Sequence, residues 1–173
     1  MALLFVIISG YMKQGFMIKI ETFHVADRGE STNVHELPKE LLQRREVVVI
    51  DIAHDPIQFS DYKENEDPKL YVSKKTGRGP LTAPDWRTSA QDPVMTAYKL
   101  VTIEFKWWGL QNMGENVLMN TEHRLFTTFH RQVFCWMDHW YGMTLEEIRK
   151  HEEQTKADLE HQRKTGQARG KSM

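Results

Sequence analysis

Two polar residues stand where apolar ones belong. Along AYKLVTIEF (97–105), strand alternation gives Ala97, Lys99, Val101, Ile103 and Phe105 a common face. Along FMIKIETF (16–23), Phe16, Ile18, Ile20 and Thr22 share one face while Lys19 and Glu21 take the other. A lysine aimed at an apolar face costs several kcal/mol unless it is paired. Lys99 is therefore either a side chain snorkelling at a strand end or the cationic floor of a cavity. Thr22 is either an ordinary hydrogen-bonded core threonine or part of the same floor. Together they would hold a ligand that is anionic at one end and apolar along the rest.

Other constellations carry less. The eight histidines invite a metal reading, but HEEQT (151–155) is not HExxH, and His123 and His130 sit seven apart with no carboxylate completing a site. No nucleophile elbow accompanies the scattered serines and histidines. The glycine-containing basic loop TGRGP (76–80) lacks the P-loop spacing. The single cysteine, Cys135, excludes an internal disulfide or a thiolate cluster and suits a reducing compartment. A net charge of −1 supplies no basic field for nucleic acid.

The elements that must position Lys99 and Thr22 follow from periodicity. MALLFVIIS reads as a strand, since an apolar run this short cannot span a bilayer, which takes about 20 residues, and it lacks the basic start of a signal peptide. A second strand covers 16–23. LPKELLQR reads as a short helix with Pro38 in its first turn, and EVVVIDIA (46–53) as a buried strand. Residues 54–95 hold five of the six prolines and read as a long surface excursion pinned by Tyr71 and Trp86. A third strand covers 97–107. From 110 to 140, apolar residues at 118, 125, 129, 133, 136 and 140, with 126 and 137 beside them, make a helical stripe. Thr144 with Glu147 is a capping box opening a second helix, 145–164, before a basic tail. Strands followed by helices give an α+β fold in which a long helix can cover an antiparallel sheet.

Adjacent tryptophans, Trp107 and Trp108, cannot both enter one core from a strand. Either one is core and one a surface lid, or both project from a strand-end tip. In the second arrangement, amphipathic rings beside Lys106 suit an anionic membrane interface. Ser73, followed by Lys74 and Lys75 in an exposed-looking loop, belongs either to a solvated basic turn or to a phosphorylation site.

A phospholipid matches the ligand that Lys99 and Thr22 describe, and longer blocks point the same way. KTGRGPL (75–81), AYKLVTIEFKWWGLQN (97–112) and RLFTTFHRQVFCWMDHW (124–140) resemble the phosphatidylinositol transfer protein family, class I single-domain members in particular. IKIETFH (18–24), NVHEL (33–37), DYKENEDP (61–68) and EEIRKHEEQTK (146–156) resemble it too. The resemblance runs over roughly 11–165. It implies a START-like helix-grip fold: an antiparallel sheet wrapped on long helices around a cavity holding one phosphatidylinositol or phosphatidylcholine. It also implies exchange of that lipid between membranes without catalysis, and no cofactor or metal beyond the cargo.

By the same resemblance Thr22 and Lys99 contact the lipid phosphate, and Glu152 is the headgroup-region acid on the last helix. Trp107 and Trp108 dock on the bilayer, and Ser73 is a regulatory serine. The chain is expected to be a cytoplasmic monomer, peripheral and transiently bound to membranes such as the Golgi. Its expected domain covers 1–165, with 166–173 a basic tail. The family chain begins well before this one, so the cavity is expected to be incomplete, as in a fragment. A second reading is a truncated family product that docks on membranes or a protein partner without transferring lipid. A third, a hydrolase, lacks a nucleophile with an oriented base.

Overall fold

The computed structural model describes residues 2–8, 16–89, 92–105 and 111–166. It is α+β: strands β1 (Ala2–Ile8), β2 (Phe16–Val25) and β3 (Thr96–Phe105), and helices α1 (Lys39–Arg44), α2 (Trp86–Ser89), α3 (Gln111–Cys135), α4 (Met137–Trp140) and α5 (Leu145–Thr165). The chain divides into two units, Met1–Trp136 and Met137–Met173.

In the first unit the strands form an antiparallel sheet in the order β1-β2-β3. The β2–β3 register pairs Phe16 with Phe105, Ile18 with Ile103, Ile20 with Val101 and Thr22 with Lys99. The two faces deduced from alternation are therefore one continuous face. On β1, Leu3, Phe5 and Ile7 lie in register with Thr22, Ile20 and Ile18.

The excursion between β2 and β3 carries two single-turn 3₁₀ segments, Phe59–Asp61 and Glu64–Glu66, besides α1 and α2. As expected, Trp86 and Tyr71 hold it. Trp86 Nε1 donates to Asp51 Oδ1 at 2.9 Å, and the Tyr71 ring stands edge-on to Phe134 of α3 at 5.7 Å. Arg131 of α3, which is buried, braces it as well. Arg131 Nη1 donates to Ile52 O at 2.6 Å, and Nη2 lies 3.1 Å from Asp67 Oδ1. Beside it, Gln132 Nε2 donates to Glu66 Oε2 at 2.9 Å. These bonds satisfy carboxylates that burial would otherwise penalise. Gly79 adopts φ +91°, and a β-carbon there would stand 2.2 Å from the Tyr71 carbonyl oxygen. Only glycine fits.

Two expectations need correction. EVVVIDIA is not a buried strand: 46–50 lie in no strand, and Val47, Val48 and Val49 are 66%, 56% and 62% exposed. Local turn chemistry takes over at Asp51, whose Oδ1 accepts from Ala53 N at 2.9 Å and His54 N at 3.1 Å, while its own N–H goes to Asp55 Oδ2 at 2.8 Å. Among the described residues no strand pairs with the β-branched run ahead of it. The helix expected over 110–140 is also interrupted, with α3 ending at Cys135 and α4 starting at Met137.

In the second unit, α5 begins where its capping box places it. Thr144 Oγ1 accepts from Glu147 N at 3.2 Å, and Glu147 Oε2 accepts from Thr144 N at 2.7 Å. Gly166 closes the helix in the left-handed conformation.

Candidate functional site

The paired aliphatics of β2 and β3 run along one sheet face and end at Thr22 and Lys99. Thr22 is 3% exposed. Lys99 is half-buried; its Nζ donates to Thr22 Oγ1 at 3.3 Å and stands 5.0 Å from the centre of the Phe126 ring on α3. No carboxylate pairs with Lys99 among the described residues. Burial lowers its pKa below the ordinary lysine value. Lys19, on the opposite face, does have a partner, Glu21 at 2.8 Å. The contrast separates a solvated pair from a cation held against apolar surface.

Helix α3 closes this end through Phe126 and His130, one turn apart and so on one face. His130 Nδ1 lies 2.7 Å from the Phe126 carbonyl oxygen. A carbonyl only accepts, so Nδ1 carries the proton and Nε2 is left an acceptor. Burial pushes the His130 pKa down, and the charges of Lys99 and His24 add to the depression against that hydrogen bond. The ring is held edge-on to Phe129 at 5.4 Å. A neutral imidazole thus stands near a cation that retains spare hydrogen-bonding capacity: the two N–H groups of Lys99 beyond the one given to Thr22. Such an arrangement can receive an oxyanion. The apolar strip leading to it can receive hydrocarbon. Leu125 and Phe129, on α3, are exposed.

Sequence reasoning brought Thr22 and Lys99 together correctly. It did not single out Phe126 or His130 as their neighbours, although the four-residue spacing is visible in FTTFH. Glu152 lies exposed on α5 in the second unit. Lys106, Trp107 and Trp108 fall outside the described residues. Ser73 departs from its expected exposure: it is 1% exposed. Its Oγ accepts from Thr76 N at 3.0 Å, its N–H goes to Arg78 O at 2.8 Å, and its carbonyl accepts from Gly77 N at 2.9 Å. The turn that presents Lys74 and Lys75 to solvent draws the serine inward. Among the described residues, no three His, Cys, Asp or Glu side chains gather as metal ligands, and no helix is long and apolar enough to cross a membrane.

Residues 4–157 match the family profile described as phosphatidylinositol transfer protein. The chain is 49% identical over 172 residues to the phosphatidylinositol transfer protein beta isoform of Homo sapiens, covering 96% of this chain and 63% of that protein. It is 45% identical over 151 residues to phosphatidylinositol transfer protein 1 of Dictyostelium discoideum, covering 87% and 57%. To phosphatidylinositol transfer protein 4 of the same organism it is 42% identical over 146 residues, covering 84% and 44%. The chain thus spans under two thirds of the length of these relatives.

Proposed function

The chain belongs to the phosphatidylinositol transfer protein family, and from that premise we propose that it is a non-catalytic carrier, binding one phosphatidylinositol or phosphatidylcholine and exchanging it between membranes. The observation that carries this reading is Lys99: a half-buried ammonium with no carboxylate partner among the described residues, resting on Thr22 at the end of an apolar strip. A lipid phosphodiester supplies the missing counter-charge, and acyl chains cover the strip.

The energetics make a carrier useful. Each CH₂ moved into water costs about 0.8 kcal/mol, so a diacyl lipid leaves a bilayer very slowly unaided. A protein offering equivalent apolar surface makes the exchange close to isoenergetic. Lys99 and Thr22 would neutralise and hydrogen-bond the phosphate, and Glu152 would serve as a headgroup-region acid. In this reading the sheet and long helices belong to a START-like helix-grip fold. The chain works as a cytoplasmic monomer that visits membranes such as the Golgi, and Trp107 and Trp108 dock it there. Vesicle sedimentation of a Trp107→Ala/Trp108→Ala chain tests the docking role; unchanged sedimentation removes it.

Native mass spectrometry of the purified chain, after incubation with mixed phosphatidylinositol and phosphatidylcholine vesicles, tests the carrier. One retained phospholipid per chain is the expected result, and an empty chain overturns it. The uncovered Val47–Val49 run favours a second reading, a family member that docks on a membrane or partner protein without carrying lipid. An empty chain that still binds vesicles would establish that reading instead.

A further inference from the structure

Ser31, in the loop that follows β2, is exposed, whereas the Ser73 hydroxyl is closed inside its own turn. Ser31 Oγ donates to Asp27 Oδ2 at 2.6 Å, and its N–H donates to Tyr98 Oη at 3.1 Å. Tyr98 Oη donates in turn to the same oxygen, Asp27 Oδ2, at 2.8 Å. Thr96 Oγ1 donates to the Asp27 carbonyl at 2.8 Å. One exposed hydroxyl thus completes a hub that ties the chain leaving β2 to the start of β3. Tyr98 precedes Lys99 along that strand. Arg28, three residues ahead of Ser31, is the kind of group an arginine-directed protein kinase grips through carboxylates of its own cleft. Two bonds hold it: Nη1 donates to Arg87 O at 3.2 Å and Nη2 to Asp92 Oδ1 at 2.8 Å. The Asp92 side chain is 81% exposed, and a pair that open to water contributes little, so Arg28 can be drawn away. Glu30 lies between Arg28 and Ser31 in the chain and is turned back, its Oε2 accepting from Arg28 N at 2.9 Å. Residues 29–32 are all exposed.

We propose that Ser31 is a phosphoryl acceptor for an ATP-dependent, arginine-directed protein kinase, and that its phosphate releases the Asp27 hub from the start of β3. Ser31 Oγ attacks the γ-phosphorus of ATP. The new O–P bond replaces the β,γ-bridging P–O bond, ADP leaves, and the hydroxyl proton passes to the base of the kinase. The ester oxygen left on Ser31 no longer donates, so Asp27 loses the shortest of its side-chain hydrogen bonds. A phosphate carrying about −1.5 to −2 charges at pH 7 then stands beside a carboxylate that is ionised there, its pKa drawn down to about 2. Like charges so close repel, and the exposed loop is the part free to move. Asp27 moving with it gives up its bonds from Tyr98 and Thr96. None of these steps needs a bound lipid.

The test uses the full chain with Ser172→Ala, since RGKS (169–172) repeats the spacing of RGES (28–31). The chain is incubated with magnesium ATP and calmodulin-dependent protein kinase II. Fragmentation mass spectrometry maps the phosphate, and hydrogen exchange follows the backbone amides. The expected result is one phosphate on Ser31, with the amides of Gly29, Ser31 and Tyr98 exchanging about tenfold faster than before modification. Arg28→Ala should slow the phosphorylation at least tenfold, and Asp92→Asn, which frees Arg28, should speed it. Ser31 left unmodified, or modified at a rate that Arg28→Ala does not slow, overturns the acceptor site. A chain phosphorylated on Ser31 whose exchange at Tyr98 matches the unmodified chain overturns the release.

Discussion

Replacing Lys99 with methionine separates a binding cation from a structural one. In the empty chain the ammonium has three things to lose. Its 3.3 Å hydrogen bond to Thr22 is long, its contact with the Phe126 ring at 5.0 Å is worth roughly 0.5–1 kcal/mol, and its stem packs on the strip. Against these stands the cost of holding a charge away from water, which methionine removes while keeping most of the stem. The terms oppose one another, so the expected stability change is within about 1 kcal/mol, a shift of only ~2–4 °C in melting for a chain of this size.

Lipid binding has no such offset. A charge-assisted hydrogen bond to phosphate contributes about 1.5–3 kcal/mol, so affinity should fall roughly 10- to 100-fold. Equilibrium uptake of fluorescent phospholipid and a thermal melt, on the same preparations, read both quantities. A variant that melted far below the parent yet bound lipid equally well would make Lys99 a structural residue and refute the reasoning. The pH dependence gives an independent check. Because the folded pKa lies below the ordinary 10.5, the unfolded chain binds the proton more tightly. Stability should therefore rise as pH climbs through that window, and the methionine variant should lose the rise.

Arg131→Met should destabilise the first unit by about 3–5 kcal/mol, because Asp67, 4% exposed, would keep its buried charge without the guanidinium; urea unfolding measures it. Gly79→Ala should cost at least about 1–3 kcal/mol, since φ +91° and the Tyr71 carbonyl leave a β-carbon no room; an unchanged melting temperature would contradict the tight approach. Asp27 accepts from Ser31 Oγ at 2.6 Å, Tyr98 Oη at 2.8 Å and Gly29 N at 3.1 Å. These bonds, Ser31's foremost, draw its pKa down from 3.8 to about 2. Its contribution is present above the unfolded value and is lost as pH falls toward about 2, so Asp27→Asn should flatten part of the acid limb of an unfolding titration.

What was legible in the sequence depended on the range over which the causes act. Alternation is local, so AYKLVTIEF and FMIKIETF displayed their faces. Apposing those faces required only that two amphipathic strands share a core. The start of α5 was legible because a capping box completes itself within four residues. The run 46–53 misled because β-branched residues state a preference for a pleated surface, while burial requires a neighbouring strand that residue types do not specify. Ser73 misled because its lysine neighbours face water and its own hydroxyl turns back on Thr76. The Arg131–Asp67 brace joins residues far apart in sequence, and no period announces it.

The segment from Glu46 to Ile50 has a further consequence. Its backbone groups enter no sheet, and three consecutive valines stand open to solvent. Such a segment is a template onto which another β-strand can add, and in a concentrated solution that strand is as readily a neighbour's as its own. The residues that restrain this are its flanks, Arg44 and Arg45 on one side and Asp51 on the other. They act as gatekeepers by making a parallel, in-register copy bring like charges together. Solubility of the chain should therefore track ionic strength: added salt screens those flanks and leaves the valines as adhesive as before.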